Sequence, residues 1–356
     1  GLGLSVAAAG DVTGDGVTDI LAGGGLFSGA NGALVFQLNP GFIAGDAAGD
    51  FTGDGVPEIL VGVPSMFGGA YVYSGADGST LYSIPGANGG IALTGLCDVS
   101  GDGVADFLVG EAGVWTGLSS GQGLAFVYSG ATGSILAQVI PPAGPHPAFG
   151  GAVARLRDVT GDGICDFAIA DRTGDMGRGE VRVYSGPDQS LVVTLVGNTP
   201  GEGLGDVIAP AGDVDGDGVE DLIAGAPYAP PVILNLGAAG RAIVYSGADW
   251  SVLYNLGPPT FELLQFGRGV DGIGDVNGDD IPDLAIGSAG AYNQPNCKVR
   301  VFSGAPIGVA SYGLGCAGSS GSVPRIGATR SPKIGTTFKV NLSETPPGLP
   351  ALLLLG

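Results

Sequence analysis

Asp11-Val-Thr-Gly-Asp-Gly-Val-Thr-Asp19 decides how this chain is read, because the same nine-residue block returns five more times. It recurs as Asp50–Glu58, Asp98–Asp106, Asp158–Asp166, Asp213–Asp221 and Asp275–Asp283, with starts 39, 48, 60, 55 and 62 residues apart. Self-similarity at such a period is the mark of a repeat architecture. Each block runs into a short apolar stretch: Ile20-Leu-Ala22, Ile59-Leu-Val61, Phe107-Leu-Val109, Phe167-Ala-Ile169, Leu222-Ile-Ala224 and Leu284-Ala-Ile286. Apolar runs of this length beside glycine predict buried strands.

A second signature follows downstream. It reads Tyr71-Val-Tyr-Ser-Gly75, Phe126-Val-Tyr-Ser-Gly130, Arg182-Val-Tyr-Ser-Gly186, Ile243-Val-Tyr-Ser-Gly247 and Arg300-Val-Phe-Ser-Gly304, with Leu26-Phe-Ser-Gly29 in the first repeat. Turn residues such as Ala76-Asp-Gly78 then lead into another strand, for example Thr80–Ile84, which is hairpin chemistry. One more strand precedes each acidic block, as in Ser5–Ala9 and Ala152–Arg155. Each unit therefore holds four short antiparallel strands, A to D, with the acidic block between A and B. A lone four-stranded unit cannot bury both faces, so the expected fold is all-β, a β-propeller of four-stranded blades. Six blades are favoured, or seven if the tail or a preceding segment adds one; an open β-solenoid is the competing architecture. The repeats span approximately 1–40, 41–88, 89–147, 148–202, 203–264 and 265–312, making 1–312 the propeller. Residues 313–356 fit no repeat and read as a C-terminal β segment, part of a further module or a tail that pairs with the last blade.

Composition agrees with this reading. Glycine accounts for 71 of 356 residues, against an ordinary share of roughly 7%, which disfavours long helices. An apolar content of 44% excludes disorder. The net charge is −21, yet 19 of the 34 acidic residues occupy ligand positions of the six blocks, and the remaining 15 nearly balance 13 Lys and Arg. Six divalent cations would bring −21 to −9. Nucleic acid is not an expected partner, because residues 1–154 contain no Lys or Arg to neutralise phosphate. No apolar run reaches the ~18–20 residues of a membrane span, so no transmembrane segment is expected.

The blocks suit calcium, which takes six to eight hard oxygens. In each, side-chain oxygens alternate, a glycine allows the turn, a backbone carbonyl follows, and a carboxylate closes the shell. The candidate ligand sets are Asp11, Thr13, Asp15 and Asp19; Asp50, Thr52, Asp54 and Glu58; Asp98, Ser100, Asp102 and Asp106; Asp158, Thr160, Asp162 and Asp166; Asp213, Asp215, Asp217 and Asp221; and Asp275, Asn277, Asp279 and Asp283. The carbonyls of Val17, Val56, Val104, Ile164, Val219 and Ile281 complete them. An EF-hand needs a carboxylate at its twelfth position; here those positions are Ala22, Val61, Val109, Ile169, Ala224 and Ile286. Asp280 replaces the turn glycine in the sixth block, which predicts a more strained turn there. The extra carboxylate of the fifth block predicts the tightest site. The alternative reading of any one block is a plain Asp-Gly turn.

The repeats resemble the FG-GAP repeats of the integrin α-chain N-terminal propeller and its secreted bacterial relatives. Phe149-Gly150 and Phe266-Gly267 stand with their Phe nine residues before the next block, and Leu2-Gly3 and Leu204-Gly205 share that register. Gly225-Ala226-Pro227 is a full GAP, Gly62-Val63-Pro64 departs by one residue, and the fourth repeat has Ala170-Asp171-Arg172. The resemblance covers about 1–312 and implies a seven-bladed family norm, whereas six complete repeats are present.

The expected function is a non-enzymatic adhesion or binding scaffold for an extracellular glycan or protein, stabilised by about six structural Ca2+ ions and secreted or on the cell surface. Residue 1 is Gly rather than Met, consistent with removal of an export signal. Longer B–C and D–A segments place Trp115, Tyr228 and Tyr292 on one face as candidate ligand contacts, with ordinary loop packing as the alternative. Low surface charge and three lysines in all would equally suit self-assembly into a filament or surface layer. A polysaccharide-active enzyme is the third reading, but the single histidine, His146, has no recognisable catalytic company in the sequence. Arg172 or Arg178 near Asp175 reads as a surface pairing. The four cysteines lack zinc spacing: Cys297 and Cys316 flank the last repeat as a candidate disulfide, while Cys97 and Cys165 lie beside neighbouring blocks, paired or as buried thiols.

Overall fold

The structure is a computed structural model describing residues 6–38, 44–63, 69–85, 91–113, 121–230, 239–258, 265–289, 298–304, 311–312, 323–328 and 340–345. Six four-stranded antiparallel sheets follow one another along the chain, each with its strands in sequence order. The first contains β1 (Val6–Gly10), β2 (Asp19–Ala22), β3 (Gly25–Phe27) and β4 (Leu34–Gln37). The second contains β5 (Ala44–Gly49), β6 (Glu58–Val63), β7 (Gly69–Tyr73) and β8 (Thr80–Pro85); the third, β9 (Ile91–Gly95), β10 (Phe107–Glu111), β11 (Leu124–Tyr128) and β12 (Ile135–Val139). The fourth contains β13 (Phe149–Leu156), β14 (Asp166–Asp171), β15 (Glu180–Tyr184) and β16 (Leu191–Val196). The fifth contains β17 (Val207–Gly212), β18 (Asp221–Ala226), β19 (Arg241–Tyr245) and β20 (Val252–Leu256). The sixth contains β21 (Phe266–Gly272), β22 (Leu284–Ser288), β23 (Lys298–Phe302) and β24 (Ser311–Tyr312). These are the blades of an all-β propeller, and the nine-residue block links the first and second strand of each. A separate antiparallel pair, β25 (Val323–Ala328) with β26 (Val340–Thr345), forms the short C-terminal segment. The chain groups into two compact units, Gly1–Gly174 with Arg182–Thr194, and Asp175–Val181 with Leu195–Gly356.

The apolar runs after each block are explained by burial on both faces. Within the first unit, Ile59 and Val61 of β6 join a cluster with Leu21 and Leu26 of the first blade. Leu60, between them, joins the cluster containing Phe107 and Val109 of the third blade. Leu108 then packs with Phe149, Phe167 and Ile169 of the fourth. In the second unit Ile223 of β18 packs with Leu284 and Ile286 of β22. Within each unit the hydrophobic core is thus a series of layers between consecutive blades, and adjacent residues of one strand serve different layers.

Conserved spacing in the Tyr-Ser-Gly signature has a structural counterpart. The ladder between the third and fourth strands slips by one residue at Leu26/Phe27, Val72/Tyr73, Val127/Tyr128 and Val244/Tyr245. This is where the chain leaves the sheet for the turn. The two Phe-Gly pairs also acquire a partner that the motif alone does not announce. Arg182 lies over the Phe149 ring at 5.8 Å, and Arg300 lies over the Phe266 ring at 6.0 Å. Both arginines come from the middle of their blade's third strand. Among the described residues no helix is long and apolar enough to cross a membrane.

Neighbouring blades meet backbone to backbone at the Gly-Ala-Pro position. A Cβ added to Gly225 would lie 2.1 Å from the carbonyl oxygen of Gly267, and one added to Gly110 would lie 2.2 Å from that of Gly150. Only glycine permits this approach. Gly225→Ala is therefore expected to lower stability by about 1–3 kcal/mol, read as a shift in urea midpoint. Gly257→Ala, at an exposed site with open space around it, should stay within about 0.5 kcal/mol of the parent.

Candidate metal centres

Each nine-residue loop is organised by its two end carboxylates. The first accepts backbone N–H groups from the turn it encloses: Asp98 takes Gly101 at 2.6 Å, Asp102 at 3.1 Å and Gly103 at 2.7 Å. Asp158 and Asp213 repeat this pattern, as does Asp275. Asp11 and Asp50 take two such bonds each. The fifth-position Asp accepts the N–H of the seventh residue, so Val17, Val56, Val104, Ile164, Val219 and Ile281 are tied to Asp15, Asp54, Asp102, Asp162, Asp217 and Asp279. The turn requires a left-handed sixth residue: Gly218 has φ +93°, and Asp280 adopts φ +67° in the sixth loop. That is the strained position expected from the substitution.

The closing carboxylate behaves differently. Asp19, Glu58, Asp106, Asp166, Asp221 and Asp283 have no solvent exposure. One oxygen accepts N–H groups from the second or third loop residue, for example Val99 and Ser100 on Asp106 at 3.0 and 2.9 Å. In the second loop Phe51 donates to Glu58 in the same way. The other oxygen accepts the N–H of the Tyr-Ser-Gly glycine: Gly29 on Asp19, Gly130 on Asp106, Gly186 on Asp166 and Gly247 on Asp221. Hydroxyls of Thr13, Thr52 and Thr160 lie on the same carboxylates, and Ser100 lies on Asp98. Asn277 donates its amide to Asp283. The second loop residue, which the ligand pattern leaves undefined, is an anchor. Val12, Phe51, Val99 and Val214 are buried in the interblade layers.

Two of the six predicted ligand sets converge. The carboxylate oxygens of Asp50, Asp54 and Glu58 lie within 4.8 Å of one another, as do those of Asp213, Asp215 and Asp221. That separation is about twice a Ca–O bond of ~2.4 Å, so one ion can touch all three carboxylates. The donors are hard oxygens only, which fits calcium or magnesium rather than zinc or copper. Among the described residues no third group meets this condition. Burial pushes the carboxyls of Glu58, Asp106, Asp166 and Asp283 above the usual range. Asp221 is pushed up to about 6, first by burial, with Asp215 and Asp217 adding repulsion against the Gly247 and Val214 N–H groups.

The remaining candidates divide as follows. Tyr228 is half-buried, and its hydroxyl lies 3.2 Å from Arg268, which also pairs with Asp206. Trp115, Tyr292, Cys297 and Cys316 lie outside the described residues. Arg178 pairs with Asp175 at 3.5 Å. His146 has a partner that its Pro-rich surroundings did not signal: Nδ1 lies 2.7 Å from Asp171, a buried carboxylate that also accepts the Thr173 hydroxyl at 2.6 Å. Glu202 similarly holds Arg241 at 2.5 Å together with Asn198 and Thr199. Cys97 and Cys165 form a disulfide.

Residues 204–245, from Leu204-Gly205 through β17, β18 and β19, match the FG-GAP repeat family. The match spans one of six blades, and the integrin-like propeller reading fits it. No curated protein sequence matches the chain. Among solved structures the chain is similar to the Dos1 propeller, at 9% identity over 85% of this chain and 68% of that one, with a TM-score of 0.51. It is also similar to BBS1N, solved in complex with ARL6DN and soaked with lead, at 13% identity over 87% and 82%, with a TM-score of 0.54. At these identities the likeness concerns the fold.

The buried carboxylates give pH opposite effects with and without metal. Between the ordinary 3.8 and about 6, the metal-free folded state holds a proton on Asp221 that the unfolded state has released. Stability of the chelated protein should therefore fall as pH rises through this window and grow as pH drops from 7 towards 5. Metal binding needs the deprotonated carboxylate, so its contribution should rise with pH across the same interval. Thermal melting at pH 5 and pH 7, with metal and with chelator, should show the two slopes. Asp221→Asn should reduce the chelated slope.

Proposed function

We propose that this chain is a secreted, calcium-stabilised FG-GAP propeller that acts as a non-enzymatic binding scaffold for an extracellular protein or glycan. The observation that carries this reading is the convergence of three carboxylates in the loop of the second blade and again in that of the fifth. Propellers of this type commonly bind calcium, and the other four loops share the same hydrogen-bonded turn, so about six ions are proposed. Sites with a dissociation constant of ~0.1 mM, typical of extracellular modules, would each gain about 1–2 kcal/mol in millimolar calcium. The Cys97–Cys165 disulfide supports an oxidising compartment. Protein partners are the general role of FG-GAP propellers, and BBS1N was solved in complex with ARL6DN. His146 is committed through Nδ1 to a buried carboxylate on β14, which supports a structural role for it.

One observation favours self-assembly as a second reading. The outermost strands β4, β8, β12, β16 and β20 contain no charged residue, and Leu34, Ile135, Leu191 and Val252 on them are exposed. Sheet edges are ordinarily protected by charge, above all by Lys. Sedimentation velocity over a hundredfold concentration range would show assembly if this edge is used, and a single monomeric species if it is not.

Calcium titration by calorimetry, with melting in parallel, tests the main proposal. Calcium should raise the melting temperature well above that in EDTA, and Asp213→Ala should remove one of the strongest sites. Equal melting in calcium and EDTA would overturn the reading. Glycan and protein arrays probed with calcium, and again with EDTA, would then identify the bound class.

A further inference from the structure

Exposed apolar side chains are unevenly distributed over the fourth strands. Among the described residues eleven large hydrophobic side chains are exposed, and six of them belong to blades three and four: Ile135, Leu136, Ile140, Leu191, Val192 and Val196. They lie on β12, just after it, and on β16. Blades one and five contribute one fourth-strand residue each, Leu34 and Val252, and blade two contributes none.

The difference is set by three positions around one buried residue. Leu38, Ile84, Val139, Leu195 and Leu256 are buried at equivalent places near the ends of the five strands. Because side chains alternate between faces, the residues three before, one before and one after fall on the opposite face. In blade three these are Leu136, Gln138 and Ile140; in blade four they are Val192, Thr194 and Val196. Blade two has Leu81, Ser83 and Pro85, blade five has Leu253, Asn255 and Gly257, and blade one has Val35 and Gln37 followed in the sequence by Asn39. Proline and glycine interrupt an edge in blades two and five. Only blades three and four have a strand-forming apolar residue at both ends of the triplet. All four ends are exposed, Leu136 and Ile140 by 43% and 62%, Val192 and Val196 by 40% each.

β12 and β16 are each terminal in their sheet. A terminal strand offers a row of backbone N–H and C=O groups to another strand, and here that strand must be uncharged and apolar at both ends. The chain itself supplies one. Read antiparallel about Gln138, Leu136 faces the partner's Ile140, and the two Gln138 amides, each donor and acceptor, face one another. Val192, Thr194 and Val196 repeat this self-complementary order with a threonine pair at the centre. Like charges do not meet in either pairing, since residues 124–145 and 189–198 contain no charged side chain.

Resting on the self-assembly reading above, we propose that the outer edges of blades three and four are self-association surfaces. β12 pairs antiparallel with β12 of a second copy, and β16 offers the same pairing to a further copy. One such edge gives dimers, and two give an open chain of copies.

Sedimentation velocity of the full chain at rising concentration tests this. Leu136→Lys combined with Ile140→Lys should limit assembly to dimers. Adding Val192→Lys and Val196→Lys should leave monomers, with the dissociation constant raised about tenfold or more. Leu34→Lys, at an exposed site outside the triplets, should assemble like the parent. Because every substituted site is exposed, melting temperatures should match the parent's. Added salt should strengthen assembly, since it screens repulsion between copies of net charge −21 and breaks no ion pair at these edges. Under mild oxidation Gln138→Cys should link two copies through residue 138, identified by peptide mass spectrometry. An assembling Gln138→Cys chain without that link overturns the β12 pairing. If the parent assembles but the lysine variants assemble equally, or Leu34→Lys dissolves the assembly equally, the edge assignment is wrong and self-assembly stands. A parent that is monomeric at every concentration overturns both.

Discussion

At the head of each second strand a carboxylate without solvent access must find partners, because an unsatisfied buried charge costs several kcal/mol. Asp19, Glu58, Asp106, Asp166, Asp221 and Asp283 find them in the start of the loop and, in four blades, in the Tyr-Ser-Gly glycine. One acidic side chain thereby joins three otherwise separate pieces of a blade: the loop after the first strand, the second strand, and the turn after the third. The apolar second loop residue locks the assembly into the interblade layer. The two most recognisable motifs of the repeat are spatially one unit, which explains why they recur together.

Burial of the second strand on both faces sets what the rest of the blade can do. Since Leu60 and its neighbours serve different layers, a change in one blade is felt in the next, and glycine is imposed where backbones approach. The fourth strands share this constraint in part. Ile84, Val139 and Leu256 join the layers, whereas Leu34, Ile135, Leu191 and Val252 are exposed, so variation at the exposed positions touches the surface.

Much of the architecture was legible because its signals are periodic. The six acidic blocks, the apolar runs after them and the Tyr-Ser-Gly turns located three of four strands in nearly every blade, and Asp280 announced its strained turn. What escaped depends on pairings distant in sequence. The sequence offered Cys97 and Cys165 as a pair or as buried thiols; 68 residues apart, they meet because their loops are stacked by neighbouring blades. Arg182 over Phe149 and His146 on Asp171 arise likewise from strands brought side by side. Repetition could have revealed one of these: Gly10, Gly49, Cys97 and Gly212 occupy the same place before their blocks, and Pro57, Ala105, Cys165 and Pro282 the same place within the next. Alignment of the repeats places the cysteines at recurring positions of consecutive blades, and the fold brings those positions into contact.

The large negative charge also takes a different meaning once the loops are resolved into roles. First-position carboxylates are held below their usual range: Asp50 by the N–H of Gly55 above all, and Asp98, Asp158 and Asp275 because several turn N–H groups outweigh a burial contribution. Closing carboxylates are pushed the other way by burial. The second, third, fourth and sixth loops therefore oppose a carboxylate that stays ionised to one that gives up its charge readily when alone. Protons can relieve that opposition only at acidic pH, whereas a divalent ion relieves it at neutral pH and lets both carboxylates stay charged. The acids are spaced as a local electrostatic demand met loop by loop, which is why the charge is concentrated in 19 positions instead of spread across the surface.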